Sequence, residues 1–141
     1  MGTATVPRTG GAAKQIRRAA VLGAGTMGSR IAAHIANAGV PVVLLDMVPV
    51  GTAAGASPGA RNKLAAGAVE ALKKAKPAAF YAPDAARLIT PGNFDDDMGL
   101  IAGCDWIIEA VAEDLGIKRA LLERVEKHLR AESRARTNTS G

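Results

Sequence analysis

The fold is decided by residues 19–28, which read Ala19-Ala20-Val21-Leu22-Gly23-Ala24-Gly25-Thr26-Met27-Gly28. A short apolar run is followed at once by three glycines in G-x-G-x-x-G spacing, which indicates a strand that turns sharply into a helix. Gly23 permits the tight turn, Gly25 lets a pyrophosphate approach the backbone, and Gly28 lets the helix pack closely on the strand. We therefore predict a phosphate-binding loop at a helix N-terminus, formed by Gly23, Ala24, Gly25, Thr26, Met27 and Gly28.

The residues after this loop supply the context that a lone glycine motif lacks. Apolar residues at helical spacing continue to Ala36, and an apolar strand over residues 40–45 then ends at Asp46. An acid at this distance from the glycines can accept hydrogen bonds from the adenosine ribose, and no arginine follows it to offset the 2′-phosphate of NADP. We therefore predict NAD as the cofactor. The alternative for Asp46 is an ordinary turn residue at a strand end.

The rest of the chain alternates helical and strand patterns. The predicted elements are a helix over 61–76, a helical piece over 84–88, a brief strand over 88–90, a helical turn over 95–101, a buried strand over 106–111 and a helix from 115 to about 129. Alternation of this kind builds a parallel sheet with helices on both faces, which is an α/β fold of Rossmann type.

Composition limits the class of protein. A chain of 141 residues with 48% hydrophobic residues fits one domain, predicted over 15–141 after a disordered leader over 1–14, whose alternative is a transit peptide. The net charge of +5 is dispersed and aromatic residues are few, which argues against nucleic acid as a partner. Cys104 has no metal or redox spacing around it, and no apolar run approaches a membrane span. We expect no metal and a soluble protein of the cytoplasm, or of the mitochondrial matrix in a eukaryote.

Two further segments distinguish between protein families more specifically than the glycine loop does. Residues 109–118 read Glu109-Ala110-Val111-Ala112-Glu113-Asp114-Leu115-Gly116-Ile117-Lys118, and the sequence ends with Asn138-Thr139-Ser140 before the last glycine. Together with the loop and Asp46, they resemble the NAD-binding domain of the 3-hydroxyacyl-CoA dehydrogenase family of fatty-acid β-oxidation. The resemblance extends from about Arg17 to the end of the sequence, less securely between residues 51 and 103.

The resemblance implies roles for individual residues. Ala110, Glu113 and Lys118 would line the ribose and nicotinamide side of the cofactor, and Ser140 would hydrogen-bond the substrate hydroxyl. The alternatives are a surface ion pair for Glu113 and Lys118, and a frayed terminus for Ser140. The family has an apolar strand before Asn-Thr-Ser, whereas residues 133–137 are Ser, Arg, Ala, Arg and Thr in this sequence.

The resemblance also implies what this sequence lacks. The family's catalytic histidine and its partner glutamate follow Asn-Thr-Ser, and neither His34 nor His128 stands in that histidine's His-Phe-x-Asn-Pro context. The helical domain that completes the substrate cleft and forms the dimer also follows. We therefore expect the N-terminal part of a longer enzyme that oxidises 3-hydroxyacyl-CoA to 3-ketoacyl-CoA, inactive alone.

Two alternatives for the function stay open, and one for the basic helix. In place of the reaction above, the parent enzyme would act on a free 3-hydroxy acid instead of an acyl-CoA, or the chain would be a regulatory NAD-binding module without catalysis. An acyl-CoA substrate and a second copy of the parent are the expected partners. The basic helix carries lysines that either approach the CoA phosphates or form a solvated face: Lys63, Lys73, Lys74 and Lys76.

Overall fold

The computed structural model describes residues 4–7, 16–111 and 115–139. Within these ranges the strands are β1 (Ala4–Pro7), β2 (Ala19–Leu22), β3 (Val42–Asp46), β4 (Ile89–Asn93) and β5 (Trp106–Glu109). The α-helices are α1 (Thr26–Asn37), α2 (Pro58–Arg61), α3 (Lys63–Lys73) and α4 (Leu115–Thr139), and two 3-10 helices span Pro83–Leu88 and Met98–Gly103. Among the described helices, none has the length and apolarity needed to cross a membrane.

One five-stranded sheet organises the chain, in the order β1-β5-β2-β3-β4. Strands β2, β3, β4 and β5 are parallel, and β1 is antiparallel to β5. The chain passes from β2 outward to β3 and β4, then returns to place β5 on the other side of β2. Since the order reverses between β2 and β5, the carboxyl ends of these two strands border the crevice where doubly wound sheets bind ligands.

Helices cover both faces of the sheet, which confirms the predicted Rossmann-type fold. On one face, α1 and α3 pack on β2, β3 and β5 through small and medium aliphatic residues, including Ala32, Ala33, Ala36, Val69 and Leu72. On the other face, α4 and the second 3-10 helix contribute Leu121, Val125, Met98 and Ile101. Strand residues such as Leu22, Leu44 and Leu45 are fully buried, as expected for parallel strands covered on both sides.

The predicted disordered leader is wrong for residues 4–7. They form β1, which pairs with β5 in the register Ala4 to Glu109 and Pro7 to Trp106. The β-branched residues Thr5 and Val6 favour a strand, and the edge of β5 offers backbone groups that need partners. Proline is tolerated at the end of an edge strand. Residues 1–3 and 8–14, the rest of the expected leader, lie outside the described ranges.

Element boundaries differ from the sequence prediction by a few residues in several places, and by most at α4 and β4. Helix α4 continues to Thr139 instead of ending near Leu129, because residues 130–137 contain no glycine or proline and include alanine, glutamate and arginine, which favour helix. The family's apolar strand before Asn-Thr-Ser is therefore replaced by helix over 133–137. The predicted brief strand at 88–90 extends through Pro91 and Gly92 to Asn93, and β3 pairs with its whole length.

Candidate functional site

The glycine loop between β2 and α1 is closed by backbone contacts. Gly23 has a φ of +112°, and a Cβ on it would lie 2.8 Å from the carbonyl carbon and oxygen of Ala110. A Cβ on Gly28 would overlap the carbonyl oxygen of Gly23. Both positions therefore require glycine for the close approach of β2, α1 and the end of β5, as the motif predicts.

Gly25 differs from the other two glycines of the motif. Its φ is −71°, which any residue can adopt, and among the described residues no heavy atom lies within 4 Å of a Cβ built on it. The fold therefore does not require glycine here. The open space above Gly25 is what an approaching pyrophosphate needs.

Helix α1 begins at this loop without a side-chain cap. Its N-cap is Gly25, whose carbonyl oxygen accepts the first helical hydrogen bond from Ser29 N at 2.9 Å. The first turn contains no acidic residue. The positive end of the helix dipole and the N–H groups that intrahelical carbonyls cannot reach therefore point at the space above the loop, where an anion is stabilised.

Asp46 ends β3 beside the loop. Its Oδ2 accepts a hydrogen bond from Ala24 N at 2.8 Å and its Oδ1 accepts one from Met47 N at 2.6 Å. The carboxylate thus ties the end of β3 to the glycine loop, a structural role that the sequence did not predict. A carboxylate has about four acceptor positions, so hydroxyl groups of a ribose can still be bound.

A buried ion pair stands at the end of β5. Glu109 is 2% exposed, and its Oε1 accepts a hydrogen bond from Val111 N at 2.9 Å. Its Oε2 has no hydrogen-bond donor of good geometry among the described residues, but Lys118 Nζ on α4 lies 3.2 Å away and supplies the compensating charge. Lys118 is therefore anchored beside the carboxyl end of β5, next to the predicted nicotinamide side.

The turn after β4 places two residues, Phe94 and Asp95, in the region of the glycine loop and Asp46. It is held by the buried side chain of Asn93, whose Oδ1 accepts hydrogen bonds from the backbone of Asp95 and Asp96. Arg61 donates to Asp96, with a distance of 2.7 Å between Nε and Oδ2. This hydrogen bond, together with one from Asn93, holds the pKa of Asp96 below its ordinary value, and the same pair raises the pKa of Arg61.

These segments enclose a cleft of about 630 Å³ at the carboxyl edge of the sheet. Its lining includes the predicted site residues Gly23, Gly25, Thr26, Met27, Asp46 and Ala110. Ala24 and Gly28 form the loop beneath it. Residues that sequence reasoning missed complete the lining: Met47, Val48, Phe94, Asp95, Val111, Ala120, Leu121 and Arg124. Adjacency to predicted site residues was the signal that could have identified three of them, since Met47 and Val48 follow Asp46 and Val111 follows Ala110.

Two predicted site residues, Glu113 and Ser140, lie outside the described ranges. The two histidines of the chain are described and neither lines the cleft. His34 is exposed in the last turn of α1, and His128 Nδ1 lies 2.9 Å from the carbonyl oxygen of Arg124. Neither side chain is placed to exchange a proton with a ligand in the cleft.

The residues present fit a dinucleotide. An open glycine as the N-cap of a helix suits a pyrophosphate, and a strand-end carboxylate tied to the same loop suits a ribose. The loop lies at the reversal of strand order between β2 and β5, and Asp46 ends the neighbouring parallel strand β3. This fold and this site define a Rossmann-type dinucleotide-binding domain.

Comparison with known proteins specifies the family. The model of the 3-hydroxyacyl-CoA dehydrogenase NAD-binding domain matches residues 18–141. The chain therefore belongs to this family, as its sequence motifs indicated, and NAD is the cofactor of the domain.

Relatives and solved structures agree with this assignment. A protein of Deinococcus radiodurans described as a probable 3-hydroxyacyl-CoA dehydrogenase is 46% identical over 127 residues, which are 90% of this chain and 35% of that protein. A protein of Rickettsia felis described as a trifunctional enzyme of the fatty acid oxidation complex is 38% identical over 126 residues, 89% of this chain and 17% of that protein. The crystal structure of FadB2 from M. tuberculosis superposes with a TM-score of 0.55 at 28% identity, over 82% of this chain and 38% of FadB2. The chain thus spans about a third or less of these two relatives' lengths.

Proposed function

We propose that the cleft binds NAD⁺ with its adenosine ribose at Asp46, its pyrophosphate over Gly25 and its nicotinamide side toward Ala110 and Lys118. The observation that carries this proposal is the open Gly25 at the start of α1, beside a carboxylate that is hydrogen-bonded to the same loop. Bound NAD⁺ supplies a hydride acceptor. Met27 would lie under the pyrophosphate, and Glu113, by the family resemblance, would join Lys118 at the nicotinamide side.

We infer that the parent enzyme oxidises a 3-hydroxyacyl-CoA to the 3-ketoacyl-CoA in fatty-acid oxidation, in the cytoplasm or the mitochondrial matrix. The descriptions of the Deinococcus and Rickettsia relatives support this reaction. Ser140 would orient the substrate hydroxyl. Because neither histidine lines the cleft, this chain contributes cofactor binding and orientation while the general base comes from elsewhere in the parent. A second copy of the parent, as a homodimer, is its expected partner.

Glu109 would act on the cofactor only through Lys118. Its carboxylate is 3% exposed and lies against the lysine ammonium, so it restricts where that flexible side chain can place its charge. The same carboxylate holds Val111 N and thus the turn that contacts Gly23. Glu109 is therefore proposed as a positioning residue at the nicotinamide side.

The test is calorimetric titration of the purified chain with NAD⁺ and NADP⁺, with Asp46→Ala as the variant and Asp84→Ala as the matched control. Asp84 is a carboxylate in the first 3-10 helix, 85% exposed and outside the cleft. Hydrogen bonds to a charged group contribute about 1.5–3 kcal/mol, so Asp46→Ala should weaken NAD⁺ binding by about tenfold to a hundredfold. Asp84→Ala should bind like the wild type.

The same samples should give no turnover with acetoacetyl-CoA and NADH. Turnover by the isolated chain would contradict the placement of the general base outside it. Equal affinities for NAD⁺ in the wild type and Asp46→Ala, with unchanged thermal melting, would contradict the ribose assignment.

A further inference from the structure

Arg124 is a feature of the cleft that the glycine motif and its strand-end acid do not account for. It lies on α4 and is one of the residues that line the cleft. Nη2 donates to the carbonyl oxygen of Phe94 at 2.7 Å and to Asp95 Oδ1 at 3.2 Å. Two partners on one turn therefore hold the guanidinium in a fixed place, although the side chain is 43% exposed.

The hydrogen bonds of Phe94 place this guanidinium at the Asp46 end of the cleft. Phe94 N donates to the carbonyl oxygen of Asp46 at 3.0 Å, and Phe94 O accepts from Arg124. Phe94 thus links the backbone of Asp46, the residue proposed to hold the adenosine ribose, with the guanidinium. The adenine that continues from that ribose must lie in the same part of the cleft.

The chemistry of the surrounding wall suits a flat aromatic base. Met47 and Val48 follow Asp46 and give the cleft an apolar side. The N–H groups of a guanidinium lie in its plane, and the Arg124 side chain is 43% exposed, so its hydrogen bonds to Phe94 and Asp95 leave the faces of the plane open to stacking. A guanidinium stacks on aromatic rings in a way that an ammonium group cannot, since it is planar and weakly hydrated.

We propose that Arg124 forms one wall of the adenine subsite and stacks its guanidinium on the base. The inference rests on the proposed position of the adenosine ribose at Asp46. In this arrangement the turn after β4 acts as a support: Phe94 O and Asp95 fix the orientation of the guanidinium, and the base packs between it and the apolar residues after β3. Arg124 thereby contributes to affinity for the adenosine half of the cofactor only.

The experiment is calorimetry of the purified chain with NAD⁺, AMP and nicotinamide mononucleotide, in the wild type and in Arg124→Ala, Arg124→Lys and Arg119→Ala. Arg119 is the matched control because it is an exposed arginine on the same helix that does not line this cleft. Loss of a base-guanidinium stack should weaken NAD⁺ and AMP binding by about five- to tenfold in Arg124→Ala. Binding of nicotinamide mononucleotide should not change, and Arg119→Ala should bind all three ligands like the wild type.

Arg124→Lys separates stacking from charge. It keeps a cation that can reach Phe94 O, so it should fold even if the alanine variant does not, and it should still lose most of the AMP affinity. Wild-type AMP affinity in either Arg124 variant would overturn the proposal. Failure of the wild type to bind AMP, or an Asp46→Ala variant that binds it normally, would instead contradict the position of the ribose.

Discussion

Replacing Gly25 with alanine should separate cofactor binding from stability in this domain. A Cβ at position 25 meets no described heavy atom within 4 Å, and the φ of −71° suits alanine. Alanine reduces the entropy of the unfolded chain, which stabilises by about 0.4–1 kcal/mol, but it is a poorer N-cap than glycine by a similar amount. The free energy of unfolding should therefore stay within about 0.5 kcal/mol of the wild-type value.

Binding should respond very differently to the same methyl group. The methyl would occupy the space that the pyrophosphate needs at the start of α1, and the anion would lose its contact with the helix N-terminus. That contact contributes up to ~2 kcal/mol in partly buried sites. We expect NAD⁺ affinity to fall at least tenfold, which corresponds to about 1.4 kcal/mol.

Gly28→Ala is the matched comparison. Its Cβ would overlap the backbone carbonyl oxygen of Gly23, so α1 must move away from the loop at a cost of about 3 kcal/mol or more, which exceeds the helix-propensity gain of about 1 kcal/mol. Urea unfolding and calorimetry on both variants test the reasoning. It is refuted if Gly25→Ala binds NAD⁺ like the wild type, or if it unfolds as easily as Gly28→Ala.

Three further outcomes follow from the buried and paired groups. Glu109→Gln should lower the free energy of unfolding by about 1.5–3 kcal/mol, since it removes the buried carboxylate charge that accepts from Val111 N and faces Lys118 Nζ at 3.2 Å; a urea midpoint equal to that of the wild type would contradict this. Because pairing with Arg61 lowers the folded-state pKa of Asp96, its stabilisation is present above the unfolded value near 3.9 and disappears as pH falls through the folded value. Asp96→Asn should therefore be less stable than the wild type at pH 7, with a difference that vanishes well below pH 4 in thermal melts; a difference independent of pH would exclude the pair as its cause. Leu44→Ala, at a fully buried position of β3, should cost about 2–5 kcal/mol in urea unfolding, and a cost below 1 kcal/mol would mean that the core has collapsed around the site.

The sequence predicted those parts of the site that depend on backbone geometry. The glycine spacing implies contacts between main-chain atoms, and these require glycine at positions 23 and 28 wherever the loop occurs. Asp46 was predictable because a strand end fixes its distance from the loop. Periodicity likewise identified the parallel strands and the helices on both faces.

The remaining lining could not be predicted because it depends on contacts between distant segments. Phe94 and Asp95 reach the cleft through the turn that Asn93 holds, and Arg124 reaches them from the middle of α4. Nothing in the local pattern around Arg124 distinguishes it from a solvated helix residue. The error at β1 has a related cause, since two β-branched residues among glycine, threonine and proline are a weak local signal, and the four residues form a strand by pairing with the open edge of β5.

The small side chains of the alanines on the inner face of α1 set how closely this helix packs on the sheet. They thereby affect the position of the loop that would hold the cofactor. Ala32, Ala33 and Ala36 are at most 3% exposed and present only methyl groups to the sheet. A bulkier residue at any of them would push α1 away from the sheet and displace its first turn from β2. A displacement of about 1 Å at that turn is enough to impair a binding geometry, so a substitution deep in the core would be detected first as lost cofactor affinity.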